Sequence, residues 1–513
     1  MRILIATLLT LMALSGCIGD DGDENTGDTP QNMDQNGDGV VVVAVIDGGF
    51  NPYILDMVGS QMPQHLDADP NNDLPLHLPP HEWIDGHPGA DGFASYTALS
   101  LDYSYAEGDI DESINSNDLH SADSEEWSKV QSSSASNINY HYIPNSKVVG
   151  YVNTAGGDGF AASSHGVGTS TVSVGNWHGS CPNCLLVFVN NGGGETASNW
   201  VLEQDWIDVQ TNSFGYSLVM RDRMYAGSDT QLQKEATENG QAIFFSAGNG
   251  QANTFTVPNP TLFSSQEGPD WIVTVGAIDP NGKDSYLGHG KPADVASIGS
   301  GYPSGGYCDN TINCTGGFGG TSNATPVTAG MYAQALYELR TADEVTVPRP
   351  QNSTFIVEGQ PVEGGFLEDG ALTTHELLDA LFLAAEHKSS GTVLGITGVG
   401  APVETAEMQF LSEGHGSFIG KLHGNDIWAQ EVQAIVNATL HGEGEMVPGE
   451  EDWFINDSYC RQTIWGEWEH GDYDGTNLPG ADPNWPLRQA IQVACPTVIA
   501  TVVDVEQIKD GGT

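Results

Sequence analysis

The chain has 513 residues and carries 68 acidic against 15 basic side chains, a formal charge of −53 at neutral pH. A surface of that sign repels phosphate backbones and anionic membranes, so nucleic acid is excluded as a partner and the charge reads as a solvated acidic shell. Some of the carboxylates are expected to hold hard cations such as Ca2+ in a structural role.

The chain opens with Arg2 and an apolar run from Ile3 to Ala13, a charged segment and a short hydrophobic one. About a dozen apolar residues are too few to span a bilayer, and the pattern predicts a signal peptide over 1–16. Leu14-Ser15-Gly16-Cys17 resembles a lipobox, which predicts acylation of Cys17 and attachment to the outer face of the membrane by lipid alone. No later stretch reaches 18 unbroken apolar residues. Residues 17–39 are mostly Asp, Glu, Asn, Gln, Gly and Thr, a composition that buries no apolar surface and reads as a tether. Asp34 to Gly39 echoes a calcium loop, but Val45 stands where its bidentate Glu belongs. Asp67, Asp69, Asn71 and Asp73 alternate in the same manner without the completing Gly and Glu, so no metal ligand is assigned.

Short β-branched runs follow at Val40 to Ile46, Lys147 to Val152, Leu185 to Val189, Trp206 to Gln210, Ala242 to Phe245, Trp271 to Val275 and Ala293 to Ile298. Most are continuous rather than alternating, with helix-like segments between them, which predicts an α/β protein with a buried, mostly parallel sheet of about seven strands. In such folds the functional groups lie beyond the carboxyl ends of the strands.

Four residues stand at such places. Asp47 closes the first strand before two glycines; His165 opens a small-residue helix in Ser164-His165-Gly166; Asn249 follows a strand in Ala247-Gly248-Asn249-Gly250. Ser322 lies in Gly319-Gly320-Thr321-Ser322-Asn323-Ala324-Thr325-Pro326, ahead of an apolar segment running to about Arg340. Proline is tolerated in a first helical turn, so a helix is expected to begin close to Ser322 and leave its N–H pointing outward. Gly330 and Ala333 would let that helix pack closely.

In this order and in these blocks the four residues resemble the signature of the subtilisin-like serine peptidases. The resemblance runs from about Val40 to about Leu440 and implies a subtilisin-like three-layer α/β/α domain. It implies that Asp47, His165 and Ser322 form a catalytic triad and that Asn249 lines the oxyanion hole. Asn212-Ser213-Phe214-Gly215 looks like the family's substrate-backbone segment, so Ser213, Phe214 and Gly215 are expected to bind peptide, with Phe214 walling the P1 pocket and Gly192 to Gly194 as a second rail. No cofactor is needed for such chemistry, and the partners are peptides or proteins acted on by a monomer. The sequence departs from the pattern at Gly48, where Ser or Thr is common, at Asn323 for Met, and at Val327-Thr328 for His-Val. His165 follows Asp47 by 118 positions, an insertion placed at about 60–145, and no room for the usual propeptide precedes Val40.

With Cys17 set apart, six of the seven cysteines remain, an even number suited to disulfides in an exported chain. The simplest of fifteen pairings joins Cys181 to Cys184, Cys308 to Cys314 and Cys460 to Cys495; the Cys181-Pro182-Asn183-Cys184 run also admits a redox or half-zinc role. Val345 to Gly370 reads as a polar insertion, Thr373 to Glu376 as a capping box opening a helix from Leu377 to His387, and Ile427 to Leu440 as a closing helix. Residues 441–513 are acidic and Trp-rich and form a C-terminal appendage; Trp465 and Trp468 there pack on the domain or line a partner site. Two other classes compete with a peptidase. One is a subtilisin-fold binding or scaffold lipoprotein that has lost catalysis. The other is an α/β-hydrolase esterase, whose Gly-x-Ser-x-Gly elbow and Ser-first order are missing here.

Overall fold

A computed structural model of the chain describes residues 41–58, 93–131, 138–191, 195–204, 206–214, 236–237, 240–246, 249, 272–278, 295–299, 303–304, 309–313, 316–341, 345–346, 354–357, 371–385 and 429–442. The chain divides into two units, 1–34 and 35–513, and every described residue belongs to the second. Its sheet contains β1 (Val42–Asp47), β2 (Phe93–Ala98), β3 (Ile138–Tyr142), β4 (Val148–Asn153), β5 (Leu185–Asn190), β6 (Val209–Asn212), β7 (Ala242–Ser246), β8 (Val273–Ile278) and β9 (Val295–Ile298). They lie in the order β2-β3-β4-β5-β1-β6-β7-β8-β9. All neighbours are parallel except β3 and β4.

All seven expected strands are present, and the sheet is larger than expected by β2 and β3. Both come from the long stretch between Asp47 and His165. They extend the sheet beyond β4, and Ile138-Asn139-Tyr140-His141-Tyr142 has no continuous apolar run to announce β3, because its adjacent buried residues Tyr140 and His141 both carry polar groups.

The central strand shows why the layers form. β1 is buried along its whole length, and its side chains alternate between the two faces. Val43 and Val45 join Leu186 and Phe188 of β5 in one core, together with Val167 and Val172 of α3 (His165–Val174) and Val327 and Met331 of α5 (Thr321–Thr341). Val42, Ala44 and Ile46 face the other way, packing with Ala197, Trp200 and Val201 of α4 (Glu195–Leu202). Helices therefore cover both faces. In the insertion, α1 (Ser116–Ala122) and α2 (Ser124–Trp127) are docked through Trp127, whose indole donates to Tyr53 Oη at 2.9 Å while that hydroxyl donates to Asp123 at 2.7 Å.

The helix α5 is fixed along its length. A Cβ at Gly330 would collide with Ser180 and with the Ser173 carbonyl of α3, which is the close packing expected of this glycine. At its far end, Arg340 pairs with Asp208 at 2.6 Å, and Asp208 also accepts the Val42 N–H at 2.8 Å. A two-stranded ribbon, β10 (Pro303–Ser304) with β11 (Gly316–Gly317), precedes α5. After it, the stretch read as a polar insertion contributes β12 (Val345–Thr346) and β13 (Thr354–Val357), which form an antiparallel sheet with β14 (Ala371–Thr373) just beyond it. The capping box is present: Thr373 N–H donates to Glu376 Oε2 at 2.6 Å and Glu376 N–H to Thr373 Oγ1 at 3.1 Å. The helix it opens, α6 (Thr374–Ala384), starts one turn earlier than expected, and α7 (Ala429–His441) closes the described core beside it.

Candidate active site

The chain leaves β1 toward one side through β2 to β5 and returns to build β6 to β9 on the other, so β1 lies at the crossing point of the sheet's two halves. Asp47 stands in register with Asn190 at the end of β5, and Ile46 with Asn212 at the end of β6. This is the carboxyl edge where open α/β sheets place their ligands.

His165 is the first residue of α3, capped by the Ser164 side chain, which accepts the Val167 N–H. Ser164 Oγ also donates to the Gly49 carbonyl at 2.7 Å, and Gly166 N–H donates to the Gly48 carbonyl at 3.3 Å. The turn after Asp47 is thus stitched to the start of α3. Asn190 secures the same turn by accepting the Gly49 N–H at 3.1 Å. The result is a close pair: His165 Nδ1 lies 2.7 Å from Asp47 Oδ2 and 2.9 Å from Oδ1. A carboxylate only accepts, so Nδ1 carries the proton and Nε2 keeps its lone pair. Burial pushes the His165 pKa down, but the hydrogen bond and charge of Asp47 outweigh it and hold the imidazole above its usual value. Phe318 stands edge-on to the ring at 5.1 Å.

The hydroxyl of Ser322, on the second residue of α5, lies 3.5 Å from the Ser213 carbonyl. Among the described residues this is its hydrogen bond, and the His165 imidazole is not its partner. Pro326 falls in the second turn of α5, not the first. It has no N–H to give the carbonyl four residues back, which is that of Ser322. Ser213 Oγ fills the gap, donating to Ser322 O at 3.0 Å. The serine read as part of a substrate rail therefore also braces the Ser322 backbone.

The first-turn N–H groups of α5 can be counted. Thr321 N–H goes to Asn249 Oδ1 at 2.8 Å, while Asn323 and Ala324 both donate to the Gly320 carbonyl. That leaves the Ser322 N–H, among the described residues, without an acceptor at a helix N-terminus, where anions bind. Asn249 Oδ1 accepts Thr321 Oγ1 as well, at 2.9 Å. Two donors identify that atom as the oxygen, which makes the other amide atom the donor nitrogen. Gly320, at φ +82°, makes the seat: a side chain there would meet the Asn249 carboxamide at 2.8 Å.

Phe214 is half-buried and lies edge-on to Phe245 at 6.0 Å. Cys181 and Cys184 form a disulfide with Cα atoms 5.4 Å apart. Gly215, Gly192 to Gly194, the Asp67 to Asp73 segment, Cys17, Cys308, Cys314, Cys460, Cys495, Trp465 and Trp468 lie outside the described residues. Among the described residues, no group of three or more His, Cys, Asp or Glu side chains is placed to hold a metal ion, and no helix is long and apolar enough to cross a membrane. Sequence reasoning missed Thr169, which donates to Asp47 Oδ2 at 3.0 Å; its place one helical turn after His165 was the available signal.

A parallel α/β sheet with a carboxylate–imidazole pair at its carboxyl edge and a serine at a helix N-terminus defines a class of hydrolytic proteins. The subtilase family model matches residues 37–349, and the chain belongs to the subtilase family. Among solved structures it is similar to that of the prenylagaramide maturation protease PagA, with 13% identity and a TM-score of 0.37, covering 77% of this chain and 94% of that one. No curated protein matches the chain. Membership of the family makes the protein a serine peptidase.

Proposed function

We propose that the protein is a subtilisin-type serine endopeptidase, exported and held at the outer face of the membrane by lipid on Cys17, in which Asp47, His165 and Ser322 are the triad. The observation that carries the reading is the Asp47–His165 contact of 2.7 Å at the sheet edge where α5 begins. His165 Nε2 takes the Ser322 proton as Oγ attacks the scissile carbonyl, then returns it to the leaving amine. Asp47 holds the tautomer and stabilises the imidazolium. The oxyanion of the tetrahedral intermediate receives the Asn249 amide nitrogen and the Ser322 N–H, donors in place before charge develops. Substrate lies extended along Ser213, Phe214 and Gly215.

The test is a peptide-library digest with wild type and Ser322→Ala. The substitution is expected to lower turnover by roughly 10^6, and undiminished cleavage would remove Ser322 from the mechanism. The anchor is tested separately: Cys17→Ser should release the protein from salt-washed membranes with its specific activity intact, because the tether separates lipid from site.

A further inference from the structure

We infer that Thr169 is a positioning residue of the triad: its hydroxyl fixes the Asp47 carboxylate and thereby sets the orientation and basicity of His165. The inference rests on the assignment of Asp47 and His165 made above. Asp47 Oδ1 accepts the Gly48 N–H at 2.6 Å and His165 Nδ1 at 2.9 Å; Oδ2 accepts His165 Nδ1 at 2.7 Å and Thr169 Oγ1 at 3.0 Å. Gly48 brings no side chain to this carboxylate. Among the described residues, Thr169 is the only side chain besides His165 that donates to it.

Helical threonines ordinarily return their hydroxyl to the carbonyl one turn back. Thr171, Thr325, Thr328 and Thr439 of this protein do so at 2.7 to 2.9 Å. Thr169 departs from them. Its backbone acceptors are farther away, Gly166 O at 3.2 Å and His165 O at 3.4 Å, whereas the carboxylate oxygen is at 3.0 Å. One hydroxyl proton has three acceptors, and the charged, nearest one takes it. Thr169 is buried, so no water competes. Lying four residues after His165, it rises on the same helix face as the imidazole, opposite the end of β1.

Without this donor, Asp47 Oδ2 is held by the imidazole alone. The carboxylate gains freedom to turn about its Cβ–Cγ bond and presents more charge to the ring. Turnover should then fall because the base is less well aimed, and the imidazole should hold its proton to higher pH. The groups facing His165 are Asp47 from β1, Phe318 from the segment before α5, and neutral Thr169 on α3 itself; the Asp47 charge is the one that reaches the ring.

Thr169→Val keeps the side-chain shape and removes the hydroxyl, and Thr169→Ser restores it. In the full chain, the His165 ring is titrated by NMR and peptide hydrolysis is followed in parallel. Thr169→Val is expected to lower kcat about tenfold with KM changed less than about twofold, and to raise the imidazole midpoint. Thr169→Ser should return both toward wild type. An imidazole midpoint unmoved in Thr169→Val overturns the inference, whatever the rate does. A wild-type chain that neither cleaves peptides nor reacts with a fluorophosphonate defeats the peptidase reading instead, and the NMR midpoint then still decides the role of Thr169.

Discussion

The helix α3, about 15 Å long at 1.5 Å per residue, has a carboxylate–imidazole pair at its start and another just past its end. At its start, Asp47 meets His165 at 2.7 Å; just past its end, Asp56 meets His178 at 2.9 Å. Both imidazoles are raised above their usual pKa, burial lowering them and the paired carboxylate more than offsetting it. The surroundings differ. The His165 side chain is 33% exposed and that of His178 16%, beside an Asp56 that is 4% exposed. Asp56 also accepts the Trp177 N–H at 2.6 Å, tying the chain where it leaves the helix. Near the same end, fully buried Lys147 donates to the carbonyls of Val174 and Pro182, and burial depresses its pKa to about 7 against the opposing charge of Asp56. Hydrogen-bonding a helix's last carbonyl with a cationic group is C-terminal capping. A carboxylate–imidazole pair alone is therefore no mark of the proposed triad. Reach of solvent and the N-terminus of α5 distinguish the first from the second.

Parallel substitutions should separate the two ends. Asp47→Asn is expected to lower kcat by roughly 10^4, since an amide no longer enforces the working tautomer. Asp56→Asn should leave kcat/KM within about twofold and lower the thermal midpoint instead, the effect of weakening a buried charge-assisted hydrogen bond. Equal losses of activity at both ends, measured with one peptide substrate, would erase the distinction. Next in size is Asn249→Ala, expected to reduce turnover by roughly 10^2 to 10^3 with little change in KM, because its donor matters when the oxyanion forms. A change confined to KM would make Asn249 a turn residue.

Ser213→Ala should cost about fivefold in kcat, equivalent to about 1 kcal/mol, by orphaning the Ser322 carbonyl that Pro326 cannot satisfy. A wild-type rate would mean that the brace is dispensable. The smallest effect on catalysis belongs to His178→Gln, which should alter stability alone, by about 1–3 kcal/mol. The sign follows from the raised pKa of His178. Its protonated form is favoured by folding, so its contribution is fully present below the unfolded value near 6.5 and is lost as pH rises through the folded value. Melting curves of wild type and variant should diverge below about pH 6.5 and converge above the folded pKa; a gap that widens with pH would contradict the assignment.

The pair at the start of α3, where the triad is proposed, was legible in the sequence, and the pair past its end was not. Asp47, His165, Asn249 and Ser322 each sit in a local block of glycines and small residues after a strand or before a helix, so the chain itself marks them. Asp56 and His178 are 122 residues apart, almost the separation of Asp47 and His165 at 118, yet Asp56 lies in an apolar stretch and His178, though followed by Gly179 and Ser180, comes after a helix and not at its start; only the folded chain brings them together. β2 and β3 escaped for a related reason: Phe93-Ala94-Ser95-Tyr96-Thr97-Ala98 and Ile138-Asn139-Tyr140-His141-Tyr142 carry little of the continuous apolar signal that marks the other seven strands. Pro326 was read as setting the start of α5, and that start is where it was expected. The compensation by Ser213, more than a hundred residues earlier, is a tertiary contact that no local pattern contains.

The central claim is that Ser322 is the nucleophile and His165 its base. The most direct measurement is the rate of fluorophosphonate labelling across a pH series, with the modified peptide identified by mass spectrometry. The account predicts the label on Ser322, at a rate that rises through a midpoint above 6.5, the ordinary histidine value, because Asp47 holds the imidazole protonated at lower pH; His165→Ala should abolish that rise. Label on another serine, or an unchanged pH profile in His165→Ala, would contradict it.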